Sequence, residues 1–437
     1  MSQAAIDRAV AEQASWMEDL LVALVEQPTV LGAEEGGQAL MARAFADCGL
    51  EVESIAMDAA AIRADPRHSP FSWDVAGKRN VVATWRGEGG GVGGGRSVVL
   101  NGHVDVVPPA SETLWTSPPF VARRDGDWLY GRGAGDMKAG LVAMVGAVKA
   151  LRDAGISLRG DVTLQSVVEE ECTGNGALQC LLAGSGAGAD AAVLTEPHHD
   201  HFTLAQVGVL WFHVDVRGVP AHAARASTSG FNALDAVHRV LAELRALEAE
   251  LNAERAGHAW YADHEHPINL NPGILHGGDW ASTVPAEATL SCRLALYPGQ
   301  DPADLQRRVE AAVARVPFGA TVRYSGFRCE GCQVDADEPV VRVLGDAYRS
   351  VHRAPAALRA TTATTDARHF VARGIPAICF GPEAEDIHGI DERVSLPSVG
   401  EVARVLARFL VAWCGESNDK GPPVSAAHGG ESSHVHR

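Results

Sequence analysis

Asn101-Gly102-His103-Val104-Asp105-Val106-Val107-Pro108 puts an imidazole and a carboxylate two residues apart, at the end of the apolar run Ser97-Val98-Val99-Leu100. Side chains at i and i+2 of a strand point to one face. A neutral imidazole is a common metal ligand, and a nearby carboxylate can fix its tautomer. A structural histidine closing a strand end looks the same, so the question is whether other ligands exist. Gly131-Arg132-Gly133-Ala134-Gly135-Asp136-Met137-Lys138 lacks dinucleotide-fingerprint spacing, and no Gly-Lys-Ser/Thr follows it. Its glycines read as a tight path that delivers Asp136 at a helix start, as a site carboxylate or as an N-cap. Glu169-Glu170-Glu171 follows the apolar stretch 162–168. Three adjacent acids at a dry strand end are costly unless a positive charge neutralises them, and a metal would do so; a solvated loop is the alternative. Glu196 closes the stretch 191–194, and Ile387-His388-Gly389-Ile390-Asp391-Glu392 lies a little beyond 377–380. In β/α architecture, active sites lie at the carboxyl ends of strands.

These residues need a frame. Val10, Trp16, Leu20, Leu21 and Leu24 follow helical spacing through 6–27, and a second helix covers 37–48 up to Gly49. Residues 81–85, 98–100, 162–168 and 191–194 read as buried strands and 139–154 as an apolar helix, which predicts an α/β layer with a parallel or mixed sheet. The seven glycines between Gly87 and Gly95 read as a flexible surface loop. Beyond about residue 207 the pattern changes. Trp211, His213 and Asp215 alternate with Leu210, Phe212, Val214 and Val216. With helices at 232–251 and 302–316 and strands at 289–296 and 320–325, this segment reads as a compact inserted α+β domain. The α/β style resumes with a helix at 340–352, a strand at 377–380 and a helix at 399–414. The stretch 416–437 is rich in Ser, Gly, Pro and His and is expected to be disordered.

Bulk properties exclude several classes. With 437 residues, 46% of them hydrophobic, the chain is long enough for two or three domains and for a large core. A net charge of -18 argues against nucleic acid or an anionic membrane as partner. No basic n-region precedes an apolar stretch and no run of about 18 apolar residues occurs, so the expectation is a cytoplasmic protein with reduced thiols. Among eight scattered cysteines only Cys329 and Cys332 have CxxC spacing, and a lone pair is weak evidence for zinc or redox chemistry.

Taken in order, the motifs resemble the zinc-dependent aminoacylase, acetylornithine deacetylase, succinyl-diaminopimelate desuccinylase and glutamate carboxypeptidase metallohydrolases, over nearly the whole chain except the tail. The stretch 56–80 and the insertion near Trp260 make the acetylornithine deacetylase-like branch the nearest. The resemblance implies a three-layer α/β/α catalytic domain with a mixed sheet (1–207 and 326–415), and an inserted ferredoxin-like α+β lid and dimerisation domain (208–325). It implies two divalent metal ions per subunit, zinc first, with cobalt or manganese as alternatives. His103 and Glu196 would bind one ion, Glu171 and His388 the other, and Asp136 both. Glu170 would be the general base and Asp105 the acid that orients His103, while Glu169 would be structural. The Asp136–Met137 peptide would be cis. If extended, Glu170 and Glu171 point to opposite sides, which suits a division into base and ligand.

The same resemblance makes His222, in Gly218-Val219-Pro220-Ala221-His222, a lid histidine that reaches across a homodimer to stabilise an oxyanion, although the proline usual shortly after it is absent. Asn271, in a run ending Gly277-Gly278, falls in the lid turn; Arg293 and Arg368 fall at substrate-binding positions, with Cys292 in place of an acid before Arg293. An arginine fork suits a substrate carboxylate, though either arginine could be structural. His198-His199-Asp200-His201 and His264-Glu265-His266 have no role in the family pattern and read as polar loops or adventitious metal binders. The implied activity is two-metal hydrolysis of the amide of an N-acyl amino acid or similar small carboxylate. Deformylase, desuccinylase and dipeptidase variants, and an inactive metal-binding homologue, are the alternatives.

Overall fold

The computed structural model describes residues 2–88, 94–316 and 319–417. Most of the glycine-rich run (89–93) and the expected disordered stretch from 418 onward lie outside the described residues. The first two residues of that stretch are ordered: Glu416 bridges to Leu158, and the Ser417 N–H donates to the Ser157 carbonyl at 2.8 Å.

A nine-stranded mixed sheet organises the larger part. Its centre is Val98–His103, flanked in parallel by Val162–Val167 on one side and Ala192–Leu194 on the other, with Ala377–Cys379 parallel to the latter. Antiparallel strands Arg79–Trp85 and Val52–Ala56 extend one end, and His201–Gln206, Ala357–Thr361 and Cys332–Gln333 extend the other. The central strands are buried on both faces, so they read as continuous apolar runs. Their alternation still sorts side chains. Val98, Leu100, Val193 and Ile378 join the large core beneath helices Ala139–Asp153 and Leu396–Cys414. Val99, Ala192, Leu194, Ala377 and Cys379 join a smaller core with Leu181, Ala367 and Phe370 on the opposite face. The result is the three-layer α/β/α arrangement.

Because the central strands run in parallel, their carboxyl ends share one edge, and His103, the Glu169–Glu171 turn, Glu196 and the segment after Cys379 all leave the sheet there. A small four-stranded sheet joins two of the loops above that edge. Trp128–Tyr130, just before Gly131, pairs with Arg393–Ser395, just after Glu392. The loops that carry Asp136 and His388 are therefore tied together by backbone hydrogen bonds.

A five-stranded antiparallel sheet forms the second part: Leu270–Gly277, Glu287–Leu296, Gly208–Arg217 and Ala320–Arg323 in order, with Arg328–Cys329 also on Gly208–Arg217. Leu210, Phe212, Val214 and Val216 pack under helices Ala233–Ala253 and Pro302–Ala314, as the alternation predicts. The Asn232 carboxamide caps the first helix and Asp301, followed by Pro302, caps the second.

Three expectations are corrected. The single helix over 6–27 is two, Gln3–Glu12 and Ala14–Val25, broken at Gln13, whose side chain donates to Asp153 Oδ2 at 3.1 Å. The Asn271 run is an edge strand rather than a turn: the chain turns only at Gly278 (φ +75°), and Pro272 is accommodated at a register shift. His201–Gln206, hidden in sequence behind a histidine-rich prefix, is a buried strand. Among the described residues no helix is long and apolar enough to cross a membrane.

Gly140 lies close against the backbone that carries the site. A Cβ there would stand 1.9 Å from the Thr195 carbonyl oxygen, one residue before Glu196. Gly140→Ala is expected to destabilise the fold by about 1–3 kcal/mol through overpacking, read as a lower urea midpoint with an unchanged m-value.

Candidate metal centre

Two groups of potential ligands share one residue. His103, Asp136 and Glu196 each bring a ligand atom within 4.8 Å of the others, and so do Asp136, Glu171 and His388. The Asp136 carboxylate stands between them, with Oδ1 3.1 Å from His103 Nε2 and Oδ2 3.2 Å from His388 Nε2. One oxygen facing each imidazole is the arrangement required of a carboxylate that bridges two cations. All five sequence-expected ligands are thus brought together. The Asp136–Met137 peptide is cis.

Local backbone explains each placement. His103 ends its strand with the ring 1% exposed, and Nδ1 lies 2.8 Å from the main-chain carbonyl of Asp105. That contact places the proton on Nδ1 and leaves the Nε2 lone pair facing the centre. The orienting group is thus the peptide of Asp105; its carboxylate is 3.8 Å away. The carboxylate instead accepts the backbone N–H groups of Glu170 (3.2 Å) and Glu171 (3.1 Å), clamping the acidic turn beside the His103 strand. The division of Glu170 from Glu171 also has a different origin from strand alternation. The strand ends at Val167, and Glu169 at φ +64° turns the chain. Glu170 Oε2 then lies 3.9 Å from His103 Nε2, while Glu171 Oε1 lies 3.1 Å from His388 Nε2.

Glu169 faces away from the centre. Its carboxylate accepts from Lys78 Nζ (2.9 Å), Trp73 Nε1 (2.8 Å) and Thr173 Oγ1 (3.0 Å), and Lys78 also pairs with Glu34. Glu392, which sequence reading left without a role, accepts from the backbone N–H groups of Gly135 and Asp136, both at 3.0 Å, and pairs with the fully buried Arg132. Arg132 also donates to the Gly389 carbonyl at 2.9 Å, so one ion pair locks the Asp136 loop against the His388 loop. The available signal was positional: both residues stand within the quoted motifs.

The electrostatics fit a cation pair. Burial pushes Glu196 up to about 8 and Asp105 up to about 7, and Glu170 well above the usual carboxylate range. The Glu171 carboxylate, with Asp136, pushes His388 up to about 11. Burial alone would lower His103, but Asp136 and the surrounding acids more than offset it. Buried carboxylates that protons must neutralise are carboxylates that divalent ions can neutralise better. Glu170 Oε1 is buried with no hydrogen-bond partner. Two imidazoles and three carboxylates, one of them shared, match the donor preference of zinc and its neighbours.

The expected substrate residues are not among the two ligand groups. Asn271 and Arg293 are cross-strand partners in the second sheet, and Arg293 donates to the Thr362 carbonyl at 3.3 Å. Arg368 is buried and donates to the carbonyls of Thr365 (2.6 Å) and Thr173 (3.0 Å). Neighbouring Asp366, passed over in the sequence, is fully buried with neither carboxylate oxygen hydrogen-bonded, and burial pushes it up to about 6. His222 is exposed, with Nδ1 accepting the Ala224 N–H at 3.1 Å. Cys329 and Cys332 are free thiols, and among the described residues no potential ligand group includes a cysteine.

Residues 99–412 match the sequence profile of peptidase family M20/M25/M40. The chain is 28% identical over 377 residues to N-formyl-4-amino-5-aminomethyl-2-methylpyrimidine deformylase of Bacillus subtilis (strain 168), covering 80% of this chain and 86% of that one. It is 34% identical over 331 residues to succinyl-diaminopimelate desuccinylase of Gluconacetobacter diazotrophicus, covering 72% and 81%. Human carnosine dipeptidase 1 shares the fold, with a TM-score of 0.74 at 16% identity over 94% of this chain and 100% of that one.

Glu392→Gln keeps the shape of the loop lock but leaves the Arg132 charge buried and uncompensated. A loss of about 3–5 kcal/mol is expected, measured by chemical denaturation; a change within error would remove this ion pair from the scaffold.

Proposed function

The chain belongs to peptidase family M20/M25/M40, and on that premise we propose that it is a metal-dependent amidohydrolase of small N-acylated, carboxylate-bearing molecules. The observation that carries this reading is the Asp136 carboxylate shared between two ligand groups beside an unpartnered buried Glu170 oxygen.

His103, Asp136 and Glu196 would hold one divalent ion, and Asp136, Glu171 and His388 the other; zinc suits these donors first, with cobalt and manganese next. When bound, the pair supplies Lewis acidity to a carbonyl and lowers the pKa of water. Glu170 takes the proton from the attacking water and returns it to the amine nitrogen as the C–N bond breaks, so the products are a carboxylate and an amine. Its carboxylate is held for this task by the Asp105 clamp on its own peptide N–H. The raised proton affinity that burial gives Glu170 suits a group that accepts a proton and later releases it.

Asn271 and Arg293, side by side across two strands, form a polar pair suited to a substrate carboxylate. Arg368 ties two loops together through the Thr365 and Thr173 carbonyls, and its buried Nε has no hydrogen-bond partner, which keeps it a candidate for the substrate carboxylate. His222, exposed on the second domain, is the candidate oxyanion donor, reaching the centre of a partner subunit in a homodimer formed through that domain. The catalytic parts are 1–207 and 326–415, and the lid 208–325.

The acyl group is the open variable. The deformylase and desuccinylase relatives make formyl and succinyl amides the first substrates to test, with N-acetyl amino acids and dipeptides beside them. On whichever of these the zinc- or cobalt-loaded protein hydrolyses, Glu170→Ala is expected to lower kcat by about 10²–10⁴-fold with bound metal unchanged by elemental analysis. Full activity in that variant would refute the general-base assignment.

A further inference from the structure

Outside this centre, one more group of side chains among the described residues has metal-ligand chemistry. His199, His352 and Glu401 each bring a ligand atom within 4.8 Å of the other two. They come from three separate segments: the loop between Ala192–Leu194 and His201–Gln206, the last residue of helix Pro339–His352, and the early part of helix Leu396–Cys414. His199 Nε2 lies 3.2 Å from Glu401 Oε2, and the two imidazole rings meet edge-on with centroids 5.2 Å apart. His352 stacks on Tyr348 at 4.1 Å, and its Nε2 is buried without a hydrogen-bond partner. A buried ring nitrogen with no partner is costly unless something fills that position.

We propose that His199, His352 and Glu401 form a further binding site for a zinc-type divalent ion, separate from the Asp136 centre. Two imidazoles and one carboxylate are a recurrent zinc set that leaves a position open to water. Ligand atoms on a tetrahedral zinc lie roughly 3.3 Å apart, so modest side-chain rotations complete the set. The side chains of His199 and Glu401 are 19% and 34% exposed, which leaves a route from solvent. Burial, with His199 and Arg404 nearby, lowers the proton affinity of His352 and keeps its lone pair available.

The surroundings choose among metals. Arg404 lies 3.8 Å from Glu401 Oε1, so the single carboxylate is already partly neutralised. A hard ion that binds through several oxygens has little to hold it here, whereas an ion that prefers imidazole does. Such an ion would pin two helices to the loop that carries Glu196, at a point three residues after it. Glu196 itself faces the Asp136 centre; between the two, His198 Nδ1 is held against Thr203 Oγ1 at 3.0 Å.

The test uses the full-length protein, stripped with chelator and dialysed against buffered zinc, compared with His199→Gln and Glu401→Gln. The expected result is one zinc fewer per chain in each variant, with amide hydrolysis unchanged. His428, His434 and His436 are present in all three proteins, so any zinc they hold cancels in the difference. Equal zinc content in the three overturns the proposal, as does a magnesium difference as large as the zinc one. The zinc difference decides the matter even if no amide is hydrolysed, so its failure and that of the catalytic reading are separable.

Discussion

The constraint on which the rest of this structure depends is the crowding of carboxylates at one end of a buried sheet. Asp105, Asp136, Glu169, Glu170, Glu171, Glu196 and Glu392 converge there, and uncompensated buried charge costs several kcal/mol per ion. The acids divide by how they are satisfied. Glu169 has Lys78 and the Trp73 indole; Glu392 has Arg132 and two peptide N–H groups; Asp105 has the peptide N–H groups of Glu170 and Glu171. Asp136, Glu171 and Glu196 instead face imidazoles, and Glu170 keeps an oxygen with no partner. The self-satisfied acids build the walls. The others define where divalent cations fit.

Sheet direction makes this crowding possible. Parallel central strands deliver their exits to one edge, which is why residues far apart in sequence meet there. The edge alone does not set distances of about 3 Å. That precision comes from cross-ties: the small sheet joining 128–130 to 393–395, the Arg132–Glu392 pair beneath it, and the Asp105 clamp on the acidic turn. Each tie is made by backbone or by a fully buried side chain, so the candidate ligands stand on rigid supports.

The candidate centre was legible in the sequence because its residues sit in short motifs in a recognisable order. His103, Glu170, Glu171 and Glu196 follow breaks in apolar runs, Asp136 stands at an expected helix start and His388 a little beyond a strand, and the family resemblance joined them into one site. The roles around them were less legible. A strand pattern places His103 and Asp105 on one face, yet the imidazole is oriented by the Asp105 peptide, a group that every residue possesses. Arg368 reads as a substrate fork, and the sequence does not show that it also donates to carbonyls of loops from two distant segments. The edge strand Leu270–Gly277 was hidden because it contains Pro and Gly and is largely exposed, so apolar alternation does not mark it.

By itself the sequence determined the α/β layer and the inserted α+β segment through local periodicity and turn chemistry, and its motifs, through their resemblance to a metallohydrolase family, singled out the residues that meet at the candidate metal centre. Only the tertiary structure decided which oxygen faces which imidazole, which acids are neutralised by lysine or arginine, and that His199, His352 and Glu401 meet. Those outcomes depend on chain segments up to 260 residues apart being packed to within hydrogen-bond distance, and no local pattern encodes a separation of that kind.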